Sequence, residues 1–355
     1  MPKITAIGTA TPTYRHRQED IMQFMLDANT PDEKNRKLLP ILYRRSGIET
    51  RYSVFPDFSL ARGQWDFFGN NCTVPSLEKR MILYNQKAVD LSVNAISDCL
   101  KDIDNQSITH LITVTCTGIS APGLDILLMQ KLSLSPNITR TSVNFMGCYA
   151  ALHALKIADA FCRADASAKV LIVCTELCTL HFQKSNDVDA ILSSTLFADG
   201  SAACLVTAEK DVEGLEIKQF YSKVALGGQE DMAWQLSSSG FLMTLSNHVP
   251  KLIKEEIRNL LESSLTKLNL TIDKITDWAI HPGGKNILEA VEHSLGLKHE
   301  DLSKSYEILK NYGNMSSPTI LFVLKEILEK KSSQGNIFAV AFGPGITMES
   351  VILEK

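Results

Sequence analysis

Short apolar runs and amphipathic stretches alternate along the chain. Residues 3–9, 110–117, 169–175 and 202–207 in the first part, and 215–220, 277–281, 336–342 and 347–353 in the second, are rich in Val, Ile and Ala and show little polar alternation. Such runs suit strands covered on both faces. Between them, residues 76–100 place Leu77, Met81, Tyr84, Ala88, Leu91, Ala95 and Cys99 on one side of a helix. Tyr84 fits that stripe if its ring is buried and its hydroxyl finds a partner. Residues 248–268 repeat the pattern with Leu252, Ile253, Ile257, Leu260, Leu261, Leu265 and Leu268. Strands alternating with helices predict an α/β architecture. Residues 149–161 are small and apolar on most faces, which predicts a helix buried in the middle of the molecule. The polar, turn-like segment 209–214 is the candidate boundary between a first half, 1–210, and a second, 211–355, each running strand, helix, strand.

Composition narrows the function. The chain has 355 residues, 45% hydrophobic and 21% charged, enough to bury a large core. A net charge of -4 without a basic stripe argues against nucleic acid as a partner. Arg44-Arg45 is too small a cluster for that role. It reads as a solvated face or as a contact to a small phosphorylated ligand. No leader-like segment and no run of about 18 apolar residues is present, so the expectation is a cytoplasmic protein without membrane insertion. The eight cysteines (72, 99, 116, 148, 162, 174, 178 and 204) are expected to be free thiols. Cys174 and Cys178 lack a second Cys/His pair to complete a tetrahedral site, so no metal is expected.

Three residues stand where chemistry is expected. Cys148 follows Gly147 and precedes the buried helix, where the helix dipole and unpaired N–H groups favour a thiolate. The bland alternative is a small buried core cysteine. His281 closes an apolar run and is held by Pro282-Gly283-Gly284, at the strand end where open α/β sheets bind ligands. The alternative is a solvated turn histidine. Asn314 lies in Gly313-Asn314-Met315-Ser316-Ser317-Pro318, before a helix with Ser317 as expected N-cap and Pro318 in its first position. It is either a turn residue or an amide donor. Together they suit one mechanism. Cys148 carries an acyl group, His281 pairs with the thiol and favours its ionised form, and His281 and Asn314 stabilise an enolate formed when a malonyl group loses CO2.

At these motifs the chain resembles the type III (chalcone-synthase-like) polyketide synthases, over essentially its whole length. The markers are Ala6-Ile7-Gly8-Thr9-Ala10-Thr11-Pro12, Gly147-Cys148, Leu196-Phe197-Ala198-Asp199-Gly200, His281-Pro282-Gly283-Gly284, Gly313-Asn314-Met315-Ser316-Ser317 and Phe342-Gly343-Pro344-Gly345. The resemblance implies a thiolase fold, five layers in the order αβαβα with two pseudo-duplicated halves. It also implies a homodimer and no metal or redox cofactor, with an acyl-CoA starter and malonyl-CoA as substrates. It makes Cys148 the acyl carrier, His281 and Asn314 its partners, Phe197 an aromatic gatekeeper and Met243 the second gatekeeper, where the family usually has Phe. The family's CoA-binding basic residues match poorly; Arg45, then Arg44, and Asn286 are the candidates. Ketoacyl-ACP synthase III shares fold and triad, but its His and Asn stand in different local contexts. A triad-free binding or chaperone-like relative is disfavoured because all three catalytic residue types are present.

By the same resemblance Cys116, Thr117, Ala121, Cys178, His181, Trp234 and Ser316 line the cavity. Slim Thr117, Ala121 and Cys178 match positions that line a side tunnel for a fatty acyl chain in bacterial alkylpyrone-forming relatives, while bulky His181 and Trp234 narrow the main space. The expected starter is a medium- or long-chain acyl-CoA and the product a pyrone or resorcinol. A malonyl-primed synthase forming phloroglucinol or tetrahydroxynaphthalene is the alternative.

Overall fold

The structure is a computed structural model that describes residues 1–29, 32–69, 74–101, 103–330 and 334–355. Cys72 lies outside the described residues. In the first half, strand β1 (Lys3–Ala10) is followed by a short pair, β2 (Tyr14–Arg17) and β3 (Thr50–Ser53), enclosing helices α1 (Gln18–Asn29) and α2 (Glu33–Arg45). Then come α3 (Leu77–Leu100), β4 (His110–Thr115), α4 (Leu124–Leu132), β5 (Thr139–Asn144), α5 (Ala150–Ala164), β6 (Lys169–Leu177), α6 (Val188–Leu196) and β7 (Asp199–Thr207). The second half runs β8 (Leu215–Val224), the hairpin β9 (Met232–Ser237) and β10 (Gly240–Leu245), α7 (Val249–Thr266), β11 (Ile275–Ile280), α8 (Lys285–Leu295), α9 (Ser303–Tyr312), α10 (Thr319–Glu329), β12 (Asn336–Gly343) and β13 (Thr347–Glu354).

All eight apolar runs form strands. Among the described residues nine strands join in the order β11-β12-β13-β8-β1-β7-β6-β4-β5, and β1 meets β8 through only two residue pairs. The succession strand–α3–β4–α5–β6–β7 recurs as strand–α7–β11–α10–β12–β13, with β1 and β8 as the leading strands. β6–β7 and β12–β13 are antiparallel pairs, and β4–β6 and β11–β12 parallel ones. The repeat is legible in the topology although the two halves share no obvious sequence.

Alternating side chains explain the layers. Val170, Ile172 and Cys174 of β6, and Ile337, Ala339 and Ala341 of β12, all enter one central core together with helices α5 and α10. The intervening Leu171 and Val173 face a second core under α3 and α4, and Phe338, Val340 and Phe342 face a third under α7 and α8. Each strand is thus apolar on both faces because each is covered on both, giving the αβαβα order. Small residues let α5 fit between the sheets: Ala150, Ala151, Ala154 and Ala158 are fully buried. Tyr84 is buried in the α3 stripe and donates its hydroxyl to Thr115 Oγ1 at 2.8 Å. Burial pushes its phenol well above the ordinary tyrosine range.

One local expectation is corrected. α10 starts at Thr319 with Pro318 as N-cap, and the Ser317 hydroxyl donates instead to Glu176 Oε1 at 2.8 Å. A buried carboxylate is the stronger acceptor and draws the hydroxyl away from the helix end.

Candidate active site

β5 ends at Asn144, and the chain doubles back through Phe145 and Gly147 into α5. Gly147 has φ +81°, and a side chain there would collide with Pro344 Cδ. Only glycine can make this turn at this closeness. Its N–H donates to Cys116 Sγ at 3.0 Å, tying the turn to the end of β4. Cys148 therefore sits two residues ahead of the first helical residue, Ala150.

Burial pushes Cys148 up to about 11, and the Glu176 charge adds to that; the Ser316 and Asn314 side chains and its own N–H only partly offset it. His281 is 1% exposed, both ring nitrogens lack a partner, and burial lowers its pKa to about 3. No hydrogen bond joins the two; Cys148 Sγ has Asn314 Oδ1 as a polar neighbour at 3.9 Å. The expected Cys148–His281 hydrogen bond is thus not made in this structure. Desolvation of the buried His281, and of Cys148, which is half-buried and faces the cavity, opposes the partial charge of the helix end.

Asn314 is oriented by its neighbours. Its Oδ1 accepts the Ser316 N–H at 2.8 Å, which fixes the amide so that Nδ2 donates to Gly283 O at 3.2 Å and keeps a second N–H available. Its backbone bonds the segment after α6 on both sides: Asn314 N–H to Leu196 O and Ala198 N–H to Asn314 O, each 2.9 Å. Gly313 (φ +70°) brings the chain there, and a Cβ at that position would press on Arg51.

Cys148, His281 and Asn314 line one cavity of about 340 Å³, in the range of small-molecule sites. Phe197, Met243, Cys116, Thr117, Cys178, Trp234 and Ser316 line it as well, and Arg45 and Asn286 join them. Three expected residues do not. Ala121 is exposed on the loop after β4, and Arg44 is exposed on α2 without reaching the cavity. His181 is buried behind the wall, where it takes the Phe241 N–H on Nδ1 at 3.3 Å and its Nε2 faces Thr117 O at 2.8 Å. These two bonds fix a neutral tautomer, Nε2 protonated.

The structure adds residues that the reading of the sequence missed. On the β9–β10 hairpin, Met232 and Leu245 line the cavity beside the expected Trp234 and Met243, which pair across the hairpin. Trp234 Nε1–H donates to Cys116 O at 2.8 Å. Period-two alternation around Ser238-Ser239 was the signal available for this hairpin. Lys285, the first residue of α8, lines the cavity beside Arg45. Behind the floor, Glu176 accepts from Cys116 N, Thr117 Oγ1 and Ser317 Oγ, each at 2.8 Å, and burial raises it to about 7. It braces the strip that carries Cys116 and Thr117. The described cysteines are free thiols, and among the described residues no three His, Cys, Asp or Glu side chains converge to hold a metal. No helix of the described residues is long and apolar enough to cross a membrane.

Known proteins share this arrangement. Residues 2–210 match the family of chalcone and stilbene synthases, N-terminal domain, and residues 216–355 its C-terminal domain. The chain is 31% identical over 365 residues to the alpha-pyrone synthesis polyketide synthase-like Pks18 of Mycobacterium tuberculosis, covering 99% of this chain and 90% of that protein. A putative chalcone synthase of Bacillus subtilis is 29% identical, with 99% and 98% covered. Among solved structures, PKS-I from the brown alga Ectocarpus siliculosus superposes with a TM-score of 0.91 at 28% identity over 100% of this chain and 98% of that one. The C-terminal type III domain of Steely1 from Dictyostelium gives 0.91 at 26%, over 100% and 99%. The chain belongs to the chalcone and stilbene synthase family of type III polyketide synthases, which are acyl-transferring condensing enzymes.

Proposed function

We propose that this chain condenses malonyl-CoA onto an acyl-CoA starter carried on Cys148 and closes the product to a pyrone or resorcinol. The observation that carries the reading is the convergence of Cys148, His281 and Asn314, from three separate parts of the chain, on one apolar-walled cavity. Cys148 attacks the starter thioester carbonyl; its proton passes through His281 to the departing CoA sulfur. Malonyl-CoA then enters, and the C–C bond to its carboxylate breaks to release CO2. The electron pair is held as an enolate by one N–H of neutral His281 and the spare N–H of Asn314. The enolate carbon attacks the acyl-Cys148 thioester carbonyl and the C–S bond breaks; the new 3-oxoacyl chain leaves on CoA, and the released Cys148 thiolate takes a proton from solvent. After further rounds, an enol oxygen of the chain attacks the terminal thioester carbonyl, CoA departs, and a pyrone ring forms.

A neutral imidazole suits this role, because it donates to the oxyanion without needing a thiolate beside it. Arg45, Lys285 and Asn286 at the mouth suit the phosphate-bearing end of CoA. Apolar Leu42, Leu192, Leu196 and Met232, with slim Cys178, suit an acyl chain. Each buried methylene contributes about 0.8 kcal/mol, so kcat/KM should climb with starter length. A homodimer fits the outer edge of β5, which pairs only with β4 among the described residues, and the exposed Ile119–Ala121 stretch next to the cavity wall. No metal or redox cofactor enters any step.

Mass spectrometry of products from a panel of acyl-CoA starters with malonyl-CoA tests the reading. Pyrones or resorcinols carrying the starter chain support it. Efficient aromatic product from malonyl-CoA alone replaces it with malonyl priming. Loss of condensation in Cys148→Ala, with product still formed by the wild type, assigns the carrier.

A further inference from the structure

Two turns of the active site hold residues in a backbone conformation that side chains disfavour. Phe145 (φ +58°) precedes Gly147 in the turn that leads to Cys148, and Ser316 (φ +60°) lies in the turn that carries Asn314. Such residues persist only where the surrounding structure holds them.

Both turns are tied to one carboxylate. Glu176, near the end of β6, is fully buried and does not line the catalytic cavity. Its Oε2 accepts from the Cys116 N–H and from the Thr117 hydroxyl, each at 2.8 Å. Cys116 Sγ in turn accepts the Gly147 N–H at 3.0 Å, so the turn of the nucleophile rests on a residue that Oε2 holds. The other oxygen, Oε1, accepts from the Ser317 hydroxyl at 2.8 Å. Ser317 adjoins Ser316, whose N–H holds Asn314 Oδ1 at 2.8 Å. These partners of Glu176 are all neutral donors. A buried carboxylate without a cation beside it is costly to keep for stability alone. Here its two oxygens join the Cys148 side of the site to the Asn314 side.

We propose that Glu176 is a positioning residue for condensation, holding the Cys148 turn through Cys116 and the Asn314 turn through Ser317 at one separation. That separation lets the spare Asn314 N–H meet the enolate oxygen while the enolate carbon meets the thioester on Cys148. Glu176 itself touches no substrate. The proposal rests on the catalytic reading above.

The two links are separable, because loading uses Cys148 and His281, whereas decarboxylation and C–C bond formation also use Asn314. Ser317→Ala cuts only the Asn314 link. Intact-protein mass spectrometry reads loading of Cys148 from an acyl-CoA, and release of CO2 from malonyl-CoA reads the later step. In Ser317→Ala the later step should fall by about tenfold or more while loading stays within about twofold of wild type, since a small misplacement of a catalytic group is enough for such a loss. A smaller fall, or an equal fall in both steps, overturns the proposal; the equal fall is what a merely structural role would give. Glu176→Gln is the conservative variant. Its amide oxygen can take the Cys116 N–H and the Thr117 hydroxyl, and its NH2 can donate to Ser317 Oγ, so both links survive without the charge. It should condense faster than Ser317→Ala. If it folds but condenses as slowly, charge rather than position is at work and the proposal is overturned. Wild-type protein that loads no starter overturns the catalytic reading and the proposal together, whereas a condensing wild type with an unaffected Ser317→Ala overturns the proposal alone.

Discussion

Asn314 Nδ2 donates to the carbonyl of Gly283 at 3.2 Å, so the loop that follows His281 is held by the side chain that stands opposite the same cavity. Two groups far apart in sequence are thereby set at one spacing. Asn314→Asp replaces the donor with a carboxylate facing both the Gly283 carbonyl and the Ser316 N–H. Condensation should fall by about 10²–10³-fold, the scale for removing one oxyanion donor. Measuring kcat together with a melting curve checks this; unchanged kcat would remove Asn314 from the oxyanion site.

Burial pushes Cys148 up to about 11, above the ordinary thiol range. Alkylation by iodoacetamide in the absence of substrate should then accelerate about tenfold per pH unit from pH 6 to 9 without levelling. A plateau below pH 8 would mean a preformed thiolate–imidazolium pair. Protection of Cys148 by bound starter, followed by mass mapping, keeps the reading on this thiol among the others.

His181 holds the hairpin through the Phe241 N–H, and its ring stacks on Phe241 at 4.1 Å between centroids. Its pKa is lowered to about 3 by burial. In the unfolded chain the ring binds a proton near pH 6.5, so the unfolded state gains protons first and acid favours unfolding. Stability attributable to neutral His181 is therefore present above pH 6.5 and lost as pH falls toward 3. His181→Leu should cost about 1–3 kcal/mol near neutrality, from the orphaned Phe241 N–H and Thr117 carbonyl. The deficit should shrink on acidification, as denaturant melts at pH 7.5 and 5 will read.

Trp234 closes the cavity on one side and donates to Cys116 O at 2.8 Å. Trp234→Ala widens that cavity. Products with at least one more malonyl unit should appear by mass spectrometry, with a cost of about 2–4 kcal/mol for the lost packing. An unchanged product series would show that Trp234 does not limit chain growth.

Gly147→Ala should remove activity and lower stability by about 1–3 kcal/mol, because alanine resists φ +81° and its Cβ meets Pro344. Wild-type-like turnover would show that the turn can relax.

The alternation of apolar runs with amphipathic stretches determined the element types, since strands covered on both sides must be apolar at every position. It also located Cys148, His281 and Asn314, because glycine- and proline-bearing turns at strand and helix ends leave a local signature. The order of the strands was not local. It depends on β1 and β8 meeting through two residue pairs and on α5 and α10 sharing one core. The electrostatic setting of the site is set by tertiary burial, which pushes the Cys148 thiol up and the His281 imidazole down. Likewise the place of His181 behind the wall, the exposure of Ala121 and the bond from Ser317 to Glu176 arise from contacts between segments up to 141 residues apart, which no local pattern encodes.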